Sequence, residues 1–234
     1  MRMIRPFAPA LVGIAVVGVL SLSVSSPRPA TAAAAPTVPR APSERADAGV
    51  EQDIAVRYVT EGAGNKARYR VRERLLGKEL DNDAVGETKA ITGAIALDAN
   101  GQVVRGASQF TVALKGLKSD QSRRDTYVRN RLLETDSFPS TRLAITGVRG
   151  LPSPLPTGGT VQFTLLGDLT VKGVTRPTEW RVNATVNGDR LVGSAATAFT
   201  FAQFKLTQPK VRILLSVADT IKLEYDFAMT RQAQ

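Results

Sequence analysis

Histidine and cysteine are both absent from this 234-residue chain. Their absence excludes Ser-His-Asp and Cys-His nucleophilic catalysis, Cys/His zinc sites, disulfide bonds and haem held by an axial histidine. No activated nucleophile or acid-base set can be assembled from what remains, so we expect a protein that is not an enzyme. We also expect no cofactor and no metal site. Asp81, Asp83 and Glu87 come nearest to a calcium loop, but they lack the spacing and the glycine of an EF-hand.

The N-terminal residues have the order of a secretory signal. Arg2 and Arg5 precede an uncharged, mostly apolar stretch, and an A-x-A cleavage pattern of small residues ends at Ala32. We therefore expect residues 1–32 to be a signal peptide, cleaved after Ala32 or Ala34, and the remainder to be exported to the cell envelope or secreted. The stretch also approaches the ~20 residues that span a bilayer, so an uncleaved membrane anchor is the alternative.

Composition and charge change after the signal. Residues 33–53 are rich in Pro and Ala and show no apolar periodicity, which predicts a linker before a single folded domain over residues 54–230. Removing the signal lowers the net charge from +10 to +7, with 28 Lys and Arg against 21 Asp and Glu. Nucleic-acid-binding motifs are missing, so we expect no nucleic-acid partner. An anionic membrane surface or a phosphate-bearing amphiphile suits an exported basic protein, and solubility alone is the alternative reading. Nothing in the sequence indicates an oligomeric state.

Period-two alternation dominates the rest of the chain. In the clearest example, Val161, Phe163 and Leu165 share one face, while Gln162 and Thr164 share the other. About eight such segments follow one another with mostly short connections, and Asn187-Gly188 supplies a tight hairpin turn in the later part of the series. This pattern predicts an all-β fold, either an antiparallel barrel or a sandwich.

One segment interrupts the alternation. Ser122 reads as a helix N-cap, with Asp125 placed to answer the first free backbone N–H groups. A basic helix is predicted from Arg123 to Glu134, and the Phe138-Pro139 pair ends it, because a residue before proline is disfavoured in the helical region. A single helix inserted in an antiparallel β array suggests a barrel with a plug or lid.

Four segments of the chain read, in order, FTVALKGLKSD, RRDTYVRNRLLETDSFPSTRLAI, GDLTVKGVTRPTEW and LSVADTIKLEYDF. Together they resemble the YceI-like family of lipid- or polyisoprenoid-binding proteins. It implies an eight-stranded antiparallel, lipocalin-like barrel with one inserted α-helix. It also implies that an isoprenoid or other long-chain amphiphile is held in the pore. Family members often carry a histidine in the helix, two residues after the Arg-Asp pair, where this chain has Tyr127.

The resemblance and the alternation together assign candidate site residues. The residues expected to face an apolar pore are Phe110, Val112, Tyr127, Phe163, Leu165, Trp180, Val182, Phe199 and Phe227. Arg123, Arg124 and Arg129 are the candidates for contact with a phosphate-bearing head group, because guanidinium groups match phosphate oxygens. The alternatives are a packed core and a solvated helix face. They would leave an envelope interaction or adhesion protein with a filled barrel that acts through its basic surface.

Overall fold

Eleven strands, all antiparallel to their neighbours, form the sheet of the described chain. The computed structural model describes residues 54–77, 79–212 and 214–232. The expected signal peptide or anchor and the whole of the expected linker lie outside these residues. The strands are β1 (Val56–Thr60), β2 (Lys66–Leu75), β3 (Asn82–Thr88), β4 (Ile91–Leu97), β5 (Gln109–Ala113), β6 (Lys118–Ser119), β7 (Ser140–Arg149), β8 (Gly158–Val171), β9 (Val174–Asn187), β10 (Arg190–Thr200) and β11 (Leu214–Arg231).

The sheet closes into a barrel through its last strand. One edge of β11 pairs with β10, and the other edge is shared by β1 near its C-terminal end and by β2 along the rest. In the same way β4 and β3 form one interrupted strand, which pairs with β5 and then with β6. The pairs β1 and β2, β3 and β4, and β5 and β6 each count as one interrupted strand of the barrel wall. The eleven segments therefore make eight barrel strands. The predicted fold, an eight-stranded antiparallel barrel with one inserted helix, is therefore confirmed.

A buried asparagine stabilises the break between β1 and β2. The side-chain amide of Asn65 donates to the carbonyl oxygens of Glu61, at 2.8 Å, and Ala228, at 3.1 Å. Its oxygen accepts hydrogen bonds from the Tyr225 hydroxyl, at 2.7 Å, and from the Ala228 amide, at 3.3 Å. These bonds satisfy backbone groups that the interrupted ladder leaves free, so the strand bends without leaving buried polar groups unpaired.

The inserted helix differs from its prediction at both ends. Helix α1 spans Ser122–Tyr127 and continues as a π-helical turn over Val128–Leu132, so it ends before Glu134. Its N-cap is Gln121, which makes no side-chain capping bond, so the predicted Ser122 cap is wrong. The Asp125 carboxylate instead accepts hydrogen bonds from the Ser119 amide, at 2.7 Å, and from the Ser119 hydroxyl, at 2.6 Å. Asp125 therefore ties the helix to β6 and does not cap its own first turn.

The barrel has two different ends. The mouth carries α1 and the connections β2–β3, β8–β9 and β10–β11, the last of which contains a short 3₁₀ helix at Ala202–Phe204. The far end carries the connections β4–β5, β7–β8 and β9–β10, together with the first and last described residues. Among the described residues, no helix is long and apolar enough to cross a membrane.

Candidate functional site

The barrel encloses an apolar cavity of about 1340 Å³ that opens at the mouth. Sites for drug-sized ligands occupy roughly 300–1,000 Å³, so this cavity has room for a larger molecule. Its deep part lies among Ile95, Leu191 and Met229 near the far end, and its opening lies beside α1 and the β2–β3 connection. A cavity of this shape fits an elongated apolar chain that enters from the mouth.

Every residue predicted to face the pore lines this cavity. They are Phe110, Val112, Tyr127, Phe163, Leu165, Trp180, Val182, Phe199 and Phe227. The one polar group of the Trp180 indole is satisfied within the wall, since its N–H donates to the Thr178 hydroxyl at 3.0 Å. The wall of the pore is therefore apolar at this position despite the indole nitrogen.

Three aromatic rings lie against glycines on the neighbouring strand. Tyr69 is directly opposite Gly86, Phe110 is opposite Gly93, and Phe227 is opposite Gly193. A Cβ atom on the glycine would come within 2.3 Å of the Tyr69 ring, 2.4 Å of the Phe110 ring and 2.9 Å of the Phe227 ring. Because the glycines have no side chain, the rings can lie along the wall and do not have to point at the barrel axis. This arrangement keeps the pore wide although many of its residues are large.

Aromatic packing and one hydrogen bond order the deep part of the pore. The Tyr225 ring packs edge-on against Phe110 and at a tilt against Phe227, with centroid separations of 5.8 Å in both pairs. Its hydroxyl donates to Asn65. Burial raises the pKa of Tyr225, so this phenol is neutral at any physiological pH. Tyr225 therefore adds no charge to the deep pore.

Ion pairs hold α1 across the mouth. At the start of the helix, the Arg124 guanidinium lies 2.6 Å from the Glu73 carboxylate of β2 and also bonds to Asp120. Glu73 is 7% exposed, so its charge would be costly without this partner. Beyond the C-terminal end of the helix, Lys172 of the β8–β9 hairpin pairs with Glu134 at 2.6 Å. The helix segment is thus fixed to the barrel wall on both sides of the opening.

A second tyrosine lies beside the Arg124–Glu73 pair. Tyr69 lines the cavity, and burial, which outweighs the opposing charge of Arg124, raises its pKa to about 12. It is therefore a neutral hydroxyl group inside a largely apolar pore, close to charged groups at the mouth. Such a group can donate a hydrogen bond to a polar ligand atom without adding charge.

The structure brings two of the three candidate head-group arginines to the pore. Arg123 and Arg124 line the mouth, but Arg129 does not line the cavity. Arg129 instead makes long hydrogen bonds to the carbonyl oxygens of Lys115, at 3.5 Å, and Leu117, at 3.4 Å. Arg123 is exposed and has no ion pair among the described residues, whereas Arg124 is already paired. Of the three, Arg123 is the guanidinium most available to an incoming anion.

Several cavity residues were missed by the sequence analysis. Tyr69 and Val71 alternate correctly for inward-facing residues, yet they were not assigned to the pore. Glu73 occupies the next inward position of the same strand, and a carboxylate there was the signal that it pairs with a cation. Its partner could not be identified, because Arg124 lies 51 residues away in the sequence. Within the described ranges there is no group of three or more acidic side chains that could hold a metal ion.

Comparison with models of known protein families assigns the barrel domain to one family. The model of the YceI-like domain matches residues 58–229, which is most of the chain and nearly all of the barrel. The chain belongs to the YceI-like family. The motifs that resembled the family are those that hold the helix over the mouth, since they contain Arg124, Asp125, Glu134 and Lys172. No curated protein matches the chain.

Solved structures share the same fold at low sequence identity. A polyisoprenoid-binding domain from Saccharophagus degradans, described as implicated in plant cell wall breakdown, is 12% identical with a TM-score of 0.59, and the match covers 77% of this chain and 100% of that one. BcnA of Burkholderia cenocepacia is 14% identical with a TM-score of 0.55, covering 72% of this chain and 98% of that one. At these identities the likeness shows the fold alone.

Proposed function

We propose that this protein holds an apolar amphiphile, a polyisoprenoid or a similar lipid, in the barrel pore, and that it carries or stores the molecule in the cell envelope. The observation that supports this most is the apolar cavity of about 1340 Å³ that opens at the mouth of the barrel. Membership of the YceI-like family, together with a structural neighbour that is described as a polyisoprenoid-binding domain, supports the same ligand class. The protein then acts by binding and not by catalysis.

The energetics suit a long hydrocarbon chain. Each methylene moved from water into the pore stabilises the complex by ~0.8 kcal/mol, so ten of them contribute roughly 8 kcal/mol before ordering costs are subtracted. A polar or phosphate-bearing head group would remain at the mouth, where Arg123 is exposed and the Tyr69 hydroxyl faces the pore. Tail burial supplies affinity in this arrangement, while the mouth selects the head group.

An envelope interaction or adhesion protein with a filled barrel was the alternative. It requires an interior closed by its own side chains at native packing density. The cavity in this barrel disfavours that reading, so we do not adopt it as the main proposal.

Mass spectrometry of lipids extracted from natively purified protein tests the proposal. We expect a co-purifying amphiphile that is lost in Phe163→Arg, which puts a cation on the pore wall, and retained in Gln162→Arg, which puts one on the outer wall of the same strand. Circular dichroism must first show that both variants fold. Wild-type protein that repeatedly yields no bound lipid, from an envelope-containing source, would contradict the proposal.

Export is part of the proposal and has a separate test. N-terminal sequencing of secreted protein should find a chain that begins after Ala32 or Ala34. Recovery of the uncut chain in the membrane fraction would instead support the anchored form.

A further inference from the structure

The exposed large hydrophobic residues of the described chain are all at one end of the barrel. They are Leu76 at 65% exposure, Leu80 at 81%, Val211 at 40% and Leu215 at 56%. We call these four residues the rim. Single exposed leucines need no explanation, but a cluster at one site marks an interaction surface.

The rim residues lie in and beside the adjacent β2–β3 and β10–β11 connections, on one side of the pore opening. Leu75 of β2 is directly opposite Leu214 of β11, which places Leu76 and Leu215 on adjacent chain segments. Leu80 and Val211 both line the cavity mouth, and Leu76 and Leu215 do not. The rim therefore has an inner lip that contacts the pore and an outer lip that faces away from it.

Basic side chains outnumber acidic ones around this apolar surface, although Glu79 and Asp81 flank Leu80. Arg74, Lys210, Arg212 and Arg123 are exposed at the mouth, and none has an ion pair among the described residues. The described residues of segments 74–82, 115–139, 172–176 and 205–219, which form the mouth, contain twelve Lys or Arg against seven Asp or Glu. An apolar patch within a basic surround complements the surface of an anionic bilayer, where the acyl chains lie just beneath negatively charged head groups.

We propose that the rim docks on an anionic membrane surface with the pore mouth facing the bilayer. The four apolar side chains enter the head-group region, and the surrounding cations contact anionic lipid. An amphiphile could then move between bilayer and pore without crossing water. The inference rests on the proposed function for this last step, but the docking itself depends only on the rim.

The outer lip allows docking to be changed without changing the pore. The double variant Leu76→Ser/Leu215→Ser should bind phosphatidylcholine–phosphatidylglycerol vesicles at least tenfold more weakly than the wild type, because exposed apolar side chains supply the insertion energy. Its affinity for free farnesol in solution should be unchanged, since neither residue lines the cavity. Arg212→Gln should weaken vesicle binding by about fivefold. The control Lys222→Gln, on the outer wall, should have little effect.

Orientation on the vesicle can be measured directly because the chain has no native cysteine. Leu76→Cys at the rim and Ala99→Cys at the far end are each labelled with an environment-sensitive fluorophore. The measurements use residues 49–234, which contain the whole barrel and leave out the apolar N-terminal stretch. We expect a blue shift and quenching by spin-labelled lipid at Leu76→Cys only.

Three results would overturn the docking proposal. The first is no vesicle binding by the wild type. The second is an equal response of the two labels. The third is a dimer, seen by light scattering, that the double variant abolishes, because the rim would then be an interface between two copies. Failure of the proposed function has a different signature: vesicle binding through the rim persists, but neither farnesol nor a native lipid is bound.

Discussion

Filling the pore from its own wall is the sharpest test of the cavity. Ala195 lies on β10 between Val182 of β9 and Tyr225 of β11, and its side chain lines the pore. The next residue, Ala196, is exposed on the outer wall. We predict that Ala195→Phe places a phenyl ring in the pore, whereas Ala196→Phe places the same ring in solvent. The two variants therefore form a matched pair, one residue apart on the same strand.

The effect on binding can be estimated from the displaced ligand. A phenyl ring takes the room of about six ligand carbons, each of which contributes ~0.8 kcal/mol when buried. The loss of affinity can thus approach about 5 kcal/mol, or more than a thousandfold. A ligand that shifts along the pore recovers part of this, so we expect at least a tenfold weakening for Ala195→Phe and no change for Ala196→Phe.

The effect on stability has a different sign in a cavity and in a packed core. In a close-packed interior, an added ring costs about 1–3 kcal/mol of unfolding free energy through overpacking. In a cavity of about 1340 Å³ the ring has room and buries its own apolar surface, so the unfolding free energy of Ala195→Phe should not fall. Unfolding in urea measures this free energy for the wild type and for both variants. The fluorescence of Trp180, the one tryptophan of the chain, reports farnesol binding from inside the pore. An Ala195→Phe protein that is destabilised but binds farnesol normally would refute the argument.

Three further predictions concern polar groups of the barrel. Glu73→Gln leaves the Arg124 guanidinium without its buried counter-charge, and urea melts should show a loss of about 1.5–3 kcal/mol. Asn65→Ala leaves backbone groups unpaired at the β1–β2 break, and should cost about 2 kcal/mol or more, with faster amide exchange there. Hydrogen bonds from arginines lower the pKa of Asp83, and at Glu224 they outweigh the opposing effect of burial to lower its pKa as well. The stability from these two carboxylates is complete above about pH 5 and is lost as the pH falls through their folded-state pKa values. The chain has no histidine, so thermal unfolding should be flat between about pH 5.5 and 8, and a transition in that range would contradict this account.

The strands and their inward faces could be predicted because period-two alternation is a local property. The breaks within barrel strands could not. The segment between β1 and β2 contains Gly62 and Gly64 and reads as a turn. In the structure the chain continues along the same neighbour, β11, after this segment. A turn and a bend use the same residue types, and only pairing with a distant strand distinguishes them.

The helix shows the same limit for side chains. Ser122 and Asp125 fit a capping pattern by their spacing, but Ser119 of β6 supplies two donors to the Asp125 carboxylate and competes with that local role. Arg124 reads as a free cation because its partner Glu73 is remote in sequence. Local motifs predicted that a helix forms here, but its contacts with the barrel decide what each charged residue does.

Whether the pore is open or filled depends on register and not on residue type. The same inward-facing aromatic residues would suit a packed core equally well, which is why both readings followed from the alternation. The structure differs from a packed core in placing a glycine directly opposite Tyr69, Phe110 and Phe227. A shift of one residue in any of these pairings would put the glycine on the outer face and direct the ring toward the axis. These three cross-strand pairs therefore help to keep the pore open, and they can be identified only when the register of the closed barrel is known.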